Sequence, residues 1–256
     1  MPRVLVTGST QGIGLQTARD LVAAGADVVL HARTPEKAEQ AQRDVPGASG
    51  VVVGDLSSVD ALREVAEQAA EEGAYDAVIH NAGLGASPTR VETADGLSEI
   101  FAVNVLAPYV LTALLPPPRR LVLLTSGLQA QGKLRLDDLQ WSSRRWHGMQ
   151  AYSDSKLHDV VLALWFARRW PQVSSNAVDP GWIKTRMGGA GATDELPEGA
   201  ETQVWLATSD EPAALGSGRY LRRRRELEPN PQALDESLQD ALVERLAELS
   251  GVQPPT

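Results

Sequence analysis

The sequence predicts a doubly wound α/β fold, in which one parallel sheet carries helices on both faces. Three observations lead there. Short runs rich in β-branched residues recur along the 256 residues. Each run is apolar on both faces, and a stretch of helical spacing separates it from the next. Right-handed crossovers join such strands into one twisted sheet, with ligands at the carboxyl ends of the strands. The first run is Val4-Leu5-Val6, followed by a helix through Ala18, Leu21 and Val22. Val28-Val29-Leu30 comes next, then a polar helical stretch over 35–44 and the run Val51-Val52-Val53. A helix through Leu62, Val65 and Ala69 leads to Ala77-Val78-Ile79. A long apolar helix over 97–115 precedes Leu121-Val122-Leu123-Leu124, and a helix over 149–169 precedes a strand over 173–178. An amphipathic helix over 234–249 ends the pattern. No repeat or long linker interrupts it, so residues 1–256 read as a single domain. Two loops break the rhythm, 127–148 and the glycine-rich 187–197, and loops at strand ends are where such folds carry function.

Composition narrows the class. Hydrophobic residues make up 43% and charged residues 22%, so a chain of this length buries roughly three-quarters of its unfolded surface without disulfide or metal. It has no cysteine, which excludes a disulfide framework, a zinc–thiolate site and a cysteine nucleophile. With 24 basic and 33 acidic residues the net charge is −9, the wrong sign for nucleic acid as the main partner. No apolar run approaches the ~20 residues of a membrane span. The chain passes from Met1-Pro2-Arg3 straight into the first strand, leaving no room for a signal peptide, and a cytoplasmic protein is expected. The run Arg222-Arg223-Arg224-Arg225, followed by Glu226 and Glu228, reads as a solvated face or a set of ion pairs. The four histidines, 31, 80, 147 and 158, have no ligand spacing, and no metal is expected.

The turn after the first strand is Thr7-Gly8-Ser9-Thr10-Gln11-Gly12-Ile13-Gly14. Glycines there let backbone approach a pyrophosphate, and the helix that follows offers unpaired N–H groups and a favourable dipole. Strand, glycine turn and helix together make the dinucleotide-binding unit of a Rossmann fold. The end of the second strand discriminates between dinucleotides. An acidic residue there binds the ribose 2′-hydroxyl of NAD, and arginine accommodates the 2′-phosphate of NADP. Here the residues are His31-Ala32-Arg33, with no carboxylate before Glu36. Arg33 forks onto a phosphate, so the expected cofactor is NADP(H).

Further landmarks fall in order. Asp55-Leu56 follows the third strand, Asn81-Ala82-Gly83 the fourth, and Asn104 lies on the long helix. Ser126 closes the fifth strand, Tyr152-Ser-Asp-Ser-Lys156 opens the next helix, and Pro180-Gly181 follows the sixth strand. From Val4 to Thr185 this set resembles the short-chain dehydrogenase/reductase family. The segments Gly132 to Leu139 and Ala151 to Leu157, with 26 positions from Ser126 to Tyr152, resemble its retinol-dehydrogenase-like branch. Asp179 stands where that branch leads one to expect histidine.

Tyr152 and Lys156 are four apart, so both project from one helix face. A tyrosine of pKa ~10 works as an acid–base group near neutrality only where its phenolate is stabilised, and an ammonium one turn away supplies that. The resemblance implies carbonyl reduction by hydride from NADPH, or the reverse alcohol oxidation, with Tyr152 moving the proton and Ser126 orienting the carbonyl. It further implies that Lys156 binds the nicotinamide ribose and Asn104 holds a water leading to solvent. It implies cofactor contacts by Gly8, Ser9, Gln11, Gly12, Ile13 and Gly14, by Asp55 and Leu56 at the adenine, and by Asn81, Ala82 and Gly83 near the ribose. Pro180, Ile183 and Thr185 would meet the carboxamide. Trp141, Trp146, Met149, Trp182 and Met187 fall in the flanking loops and are expected to form an apolar substrate pocket. With 187–197 so short, that pocket should be open and partly mobile, with loop 127–148 supplying much of its wall. Trp165, Phe166 and Trp170 read as core or as a subunit interface, which leaves a homo-oligomer open. Two other functions compete. A non-catalytic NADP-binding sensor could dispense with Tyr152 and Lys156. A nucleotide-sugar epimerase needs more substrate domain than the about 70 residues after Thr185.

Overall fold

A computed structural model describes residues 1–254. The six expected strands form as β1 (Arg3–Val6), β2 (Asp27–Ala32), β3 (Gly50–Val53), β4 (Ala77–His80), β5 (Arg120–Leu124) and β6 (Ser174–Val178). Two more, β7 (Arg219–Arg222) and β8 (Arg225–Leu227), extend the sheet. The strand order is β3-β2-β1-β4-β5-β6-β7-β8, parallel except where β8 pairs antiparallel with β7. Successive side chains on each strand feed opposite faces. Leu5, Val78, Leu121 and Leu123 enter one core, and Val4, Val6, Ile79 and Val122 the other. The first core is capped by α3 (Val59–Glu71), α5 (Ala107–Leu114) and α6 (Gly148–Arg169), the second by α1 (Gly12–Ala23), α2 (Pro35–Asp44) and α7 (Leu196–Thr208). Chain order reverses between β1 and β4, so a crevice opens above their carboxyl ends.

The long apolar helix is interrupted. After α4 (Glu99–Phe101) a π-turn spans Ala102–Leu106 before α5 begins, and Asn104 lies inside it. Such a turn shifts the backbone hydrogen-bond register at one place and is frequent at functional sites.

The C-terminal helix, α8 (Glu236–Ser250), lies across α6. Trp165 Nε1 donates to Asp240 at 2.8 Å, and Arg168 reaches the same carboxylate at 2.6 Å. Trp165, Phe166 and Trp170 are all buried in the first core. Among the described residues no helix is long and apolar enough to cross a membrane, and no cluster of His, Asp or Glu could hold a metal.

The sequence pattern missed β7 and β8. Only Tyr220 and Leu221 of β7 are buried, too short a signal to stand out among arginines. The hairpin turns on Arg223 and Arg224 at φ 50° and 58°, the left-handed region that glycine or asparagine usually takes. Three of the four arginines of the run 222–225 are ion-paired. Arg222 lies 3.2 Å from Asp194, Arg223 3.3 Å from Asp194 and 3.2 Å from Glu198, and Arg224 2.9 Å from Glu201.

Candidate active site

A cleft of about 610 Å³ lies over the carboxyl ends of the strands. Its floor is the loop between β1 and α1. Thr7 Oγ1 accepts from the backbone N–H of Asn81 and Ala82 at 3.0 and 3.1 Å, and Asn81 Nδ2 donates to the carbonyls of Thr7 and Gly8. The loop and the Asn81-Ala82-Gly83 turn are thus one braced unit. Gly8 takes φ +65°, and a Cβ there would come within 2.8 Å of Ala82 Cα. A Cβ on Gly14 would lie 2.3 Å from Asn81 Nδ2 and 2.4 Å from Gly8 O. No side chain caps α1, so its first-turn N–H groups are left for an anion in the cleft. This cradle fits a pyrophosphate.

His31 is part of the same brace. Its Nδ1 accepts from Gly8 N at 3.1 Å, and its Nε2 lies 3.1 Å from Gly54 O. A carbonyl only accepts, so Nε2 carries the hydrogen and the ring is neutral. Burial pushes its pKa down to about 4. Ser9 is also buried and bonds the His31 backbone rather than facing the cleft.

Asp55 and Leu56 line the cleft, with Arg33 at its rim. Lys37, on α2, lies beside it and was not anticipated. Arg33 and Lys37 are exposed and pair with no carboxylate among the described residues. Two cations without carboxylate partners among the described residues, one just after β2 and one in the first turn of α2, suit a 2′-phosphate.

At the other end, Tyr152 and Lys156 both line the cleft from α6, with Lys156 Nζ 5.9 Å from the Tyr152 ring centroid. Asn104 is buried behind them. Its Oδ1 accepts from Leu84 N at 2.7 Å, and its Nδ2 donates to Leu84 O and to Ser155 Oγ. That side chain is committed to tying the turn after β4 to α6. Ser126, half-buried two residues after β5, accepts from Leu128 N at 3.3 Å; its neighbours Leu124 and Thr125 line the cleft, and Ser126 itself does not. Across the cleft, Pro180 and Thr185 form the facing wall; Ile183 is buried and bridges to Asp194 instead. Asp179 accepts from Gly181 N and from Tyr220 and lies 3.8 Å from Arg222. It braces the Pro-Gly turn against β7, which accounts for a carboxylate where histidine was expected.

The five residues assigned to a substrate pocket do not assemble. Met187 lines the cleft; Trp141, Trp146, Met149 and Trp182 do not. Trp141 is buried, its indole N–H donates to Asp154, and the Arg144 guanidinium sits 3.9 Å over its ring. Trp146 stacks edge-on against Trp141 and donates to Ser87 O. Trp182 donates to Gly188 O, and Met149 points to solvent. The buried carboxylates of Asp138 and Asp154 draw loop 127–148 inward around Arg144, away from the cleft. The apolar wall comes instead from Leu84, Val103, Met187 and Leu196. The first two lie in the turn after β4 and in the π-turn, where the pattern signalled only core.

The family model for short chain dehydrogenases matches residues 2–196. The chain belongs to that family, whose members are NAD(P)-using oxidoreductases. The short-chain dehydrogenase chyC of Penicillium rubens is 41% identical over 258 residues, all of both chains. Human retinol dehydrogenase 13 is 32% identical over 99% of this chain and 86% of its own. A Streptomyces sp. (strain C5) protein provisionally named daunorubicin C-13 ketoreductase DnrU is 33% identical over 86% of this chain and 83% of its own. Among solved structures, a Mycobacterium paratuberculosis protein superposes with a TM-score of 0.87 at 28% identity, covering 100% of this chain and 96% of that one.

Proposed function

We propose that the protein is an NADP(H)-dependent reductase of a ketone or aldehyde on a bulky apolar scaffold, with the reverse alcohol oxidation on the same residues. One observation carries this reading: a single cleft joins a pyrophosphate cradle and two unpaired cations at one end to Tyr152 and Lys156 at the other. Gly8, Gly12 and Gly14 with the N–H groups of α1 would hold the pyrophosphate, Arg33 and Lys37 the 2′-phosphate, and Asp55 and Leu56 the adenine. Pro180 and Thr185 would bound the nicotinamide. When bound, NADPH supplies the hydride that reaches the carbonyl carbon.

The chain's own residues then handle the proton. Tyr152 donates its hydroxyl proton to the carbonyl oxygen, and the Lys156 ammonium stabilises the phenolate left behind. Ser126 orients the carbonyl, and Asn104 keeps the turn after β4 fixed against α6. Leu84, Val103, Met187 and Leu196 present apolar surface to the rest of the substrate. The relatives' names point the same way, one to carbonyl reduction and one to alcohol oxidation.

The test is a screen of small, long-chain and ring-fused ketones and aldehydes with NADPH and NADH, repeated with Tyr152→Phe. Turnover is expected with NADPH, higher kcat/KM for the large compounds, and a loss of ~10²–10⁴-fold in Tyr152→Phe with NADPH binding retained. Retained activity in Tyr152→Phe, or equal efficiency on acetone-sized ketones, contradicts the corresponding part of the reading.

A further inference from the structure

One buried ionisable group beside Lys156 has no place in that scheme. Asp159, a turn further along α6, has its carboxylate 2.8 Å from Lys156 Nζ, with side-chain exposures of 3% and 8%. The same ammonium donates to Leu124 O at 2.9 Å. An ammonium has three N–H donors, so β5 and Asp159 take two and one is left for the cleft that Lys156 lines. A Cβ on Gly83 would lie 3.5 Å from both Nζ and Asn104 Oδ1, which puts the ammonium directly under the turn after β4.

We propose that Asp159 is a positioning residue for the acid–base pair, aiming the Lys156 ammonium and offsetting part of the positive charge that Tyr152 feels. The proposal rests on Tyr152 being the proton donor. A full, unshared ammonium would favour the phenolate. A carboxylate 2.8 Å from the same ammonium weakens that pull. Burial, opposed by Lys156, pushes the Asp159 carboxyl up to about 6. Burial also works against the Lys156 ammonium, but Asp159 and Tyr152 outweigh it and hold the lysine above its usual range. The pair is therefore ionised at neutral pH.

Other titratable groups packed near this stretch of α6 have their own partners or stay neutral. On β4, His80 Nε2 bonds Thr112 on α5. Asp179 after β6 is held by Arg222 and by Tyr220 of β7. On α6 itself, Asp154 accepts from Trp141 and Gln150, and His158 is kept neutral by burial and by Arg144. Glu99 on α4 lines the cleft rather than the ion pair.

The test is a spectrophotometric tyrosinate titration of the full, cofactor-free chain. Burial pushes Tyr220 up to about 12 and Tyr75 and Tyr109 further still, and Tyr152→Phe identifies the Tyr152 component. Asp159→Asn keeps the shape and an acceptor oxygen but removes the charge. Its Tyr152 midpoint should fall by about one pH unit, with the alkaline limb of kcat/KM for carbonyl reduction moving alike and NADPH affinity within about threefold of wild type. Asp159→Glu keeps the charge and displaces it by a methylene. It should leave the midpoint within about 0.3 unit and weaken NADPH at least about threefold, which decides the matter if Asp159→Asn does not fold. An unmoved or raised midpoint in Asp159→Asn, or unchanged NADPH affinity in Asp159→Glu, overturns the role. If Tyr152→Phe still abolishes turnover then, the acid–base reading stands without Asp159; if Tyr152→Phe keeps its turnover, that reading itself fails.

Discussion

Arg33 and Lys37 reach the cleft from different elements, Arg33 after β2 and Lys37 from the first turn of α2. Thr34 Oγ1 accepts from Lys37 N as the N-cap of that helix, and Pro35 follows it, so the spacing of the two cations is set by a capped helix start. A charge-assisted contact is worth ~1.5–3 kcal/mol, so Arg33→Ala should weaken NADPH by roughly 10- to 150-fold and leave NADH nearly unchanged. Lys37→Ala should act in the same direction but by less than about tenfold, since a lysine is a point charge without the fork of arginine. Titrating both cofactors into the three proteins checks this; a wild type that binds NADH more tightly than NADPH is incompatible with the assignment. Arg33 was legible because the motif fixes its place at a strand end. Lys37 was not, because its approach depends on the angle at which α2 leaves the sheet.

The segment after the Pro-Gly turn shows what short elements can do. Residues 187–197 are glycine-rich, yet the stretch is tied down. Ile183 bridges Asp194, Lys184 N donates to Asp194 O, and Glu195 opens α7 with a capping box. The Asp194 carboxylate accepts from Trp182 N and pairs with Arg222 and Arg223 of the hairpin. Asp194→Asn removes the charge that both arginines share. At roughly 0.2–1 kcal/mol per partly exposed pair, the global loss should be no more than about 2 kcal/mol, while the local effect is larger. Limited proteolysis should cut within 182–194 faster than in wild type, and NADPH should bind more weakly as Pro180 and Thr185 lose their support. Unchanged cleavage would show that the backbone pairings suffice without the charge. The glycine loop is the opposite case, where packing leaves no slack. Gly14→Ala places a methyl against Asn81 and Gly8 O, and both cofactor affinity and thermal stability should fall.

For the whole molecule, three buried histidines set the response to acid. Burial pushes His31 down to about 4 and His80 and His158 down to about 3, against ~6.5 in an unfolded chain. All three are neutral when folded, so below pH ~6.5 the unfolded chain binds more protons and stability falls with pH. Each contributes about 2 kcal/mol of loss by pH 5. Asp159, pushed up to about 6, works in the opposite direction between that value and the usual carboxylate range, and offsets about 1 kcal/mol. Urea unfolding at pH 7.5 and pH 5.0 should therefore differ by about 4–5 kcal/mol. A midpoint that holds or rises at pH 5.0 would exclude these histidines as the source of acid sensitivity.

The sequence alone determined the features governed by local spacing: six doubly buried strands, a glycine turn that admits a phosphate, and a tyrosine and lysine four apart on one helix. Those patterns repeat with the period of the backbone itself, so they survive without knowledge of any neighbour. Tertiary structure decided what depends on which surfaces meet. The tryptophans of loop 127–148 looked like a pocket because they are apolar and near the site in sequence, but Arg144 with Asp138 and Asp154 drew them away from the cleft. The apolar wall of the cleft falls instead to residues such as Leu84 and Val103, which carry no local signal. Asp159 sat unremarked three residues past Lys156, because i,i+3 spacing allows contact and only the buried geometry turns it into an ion pair.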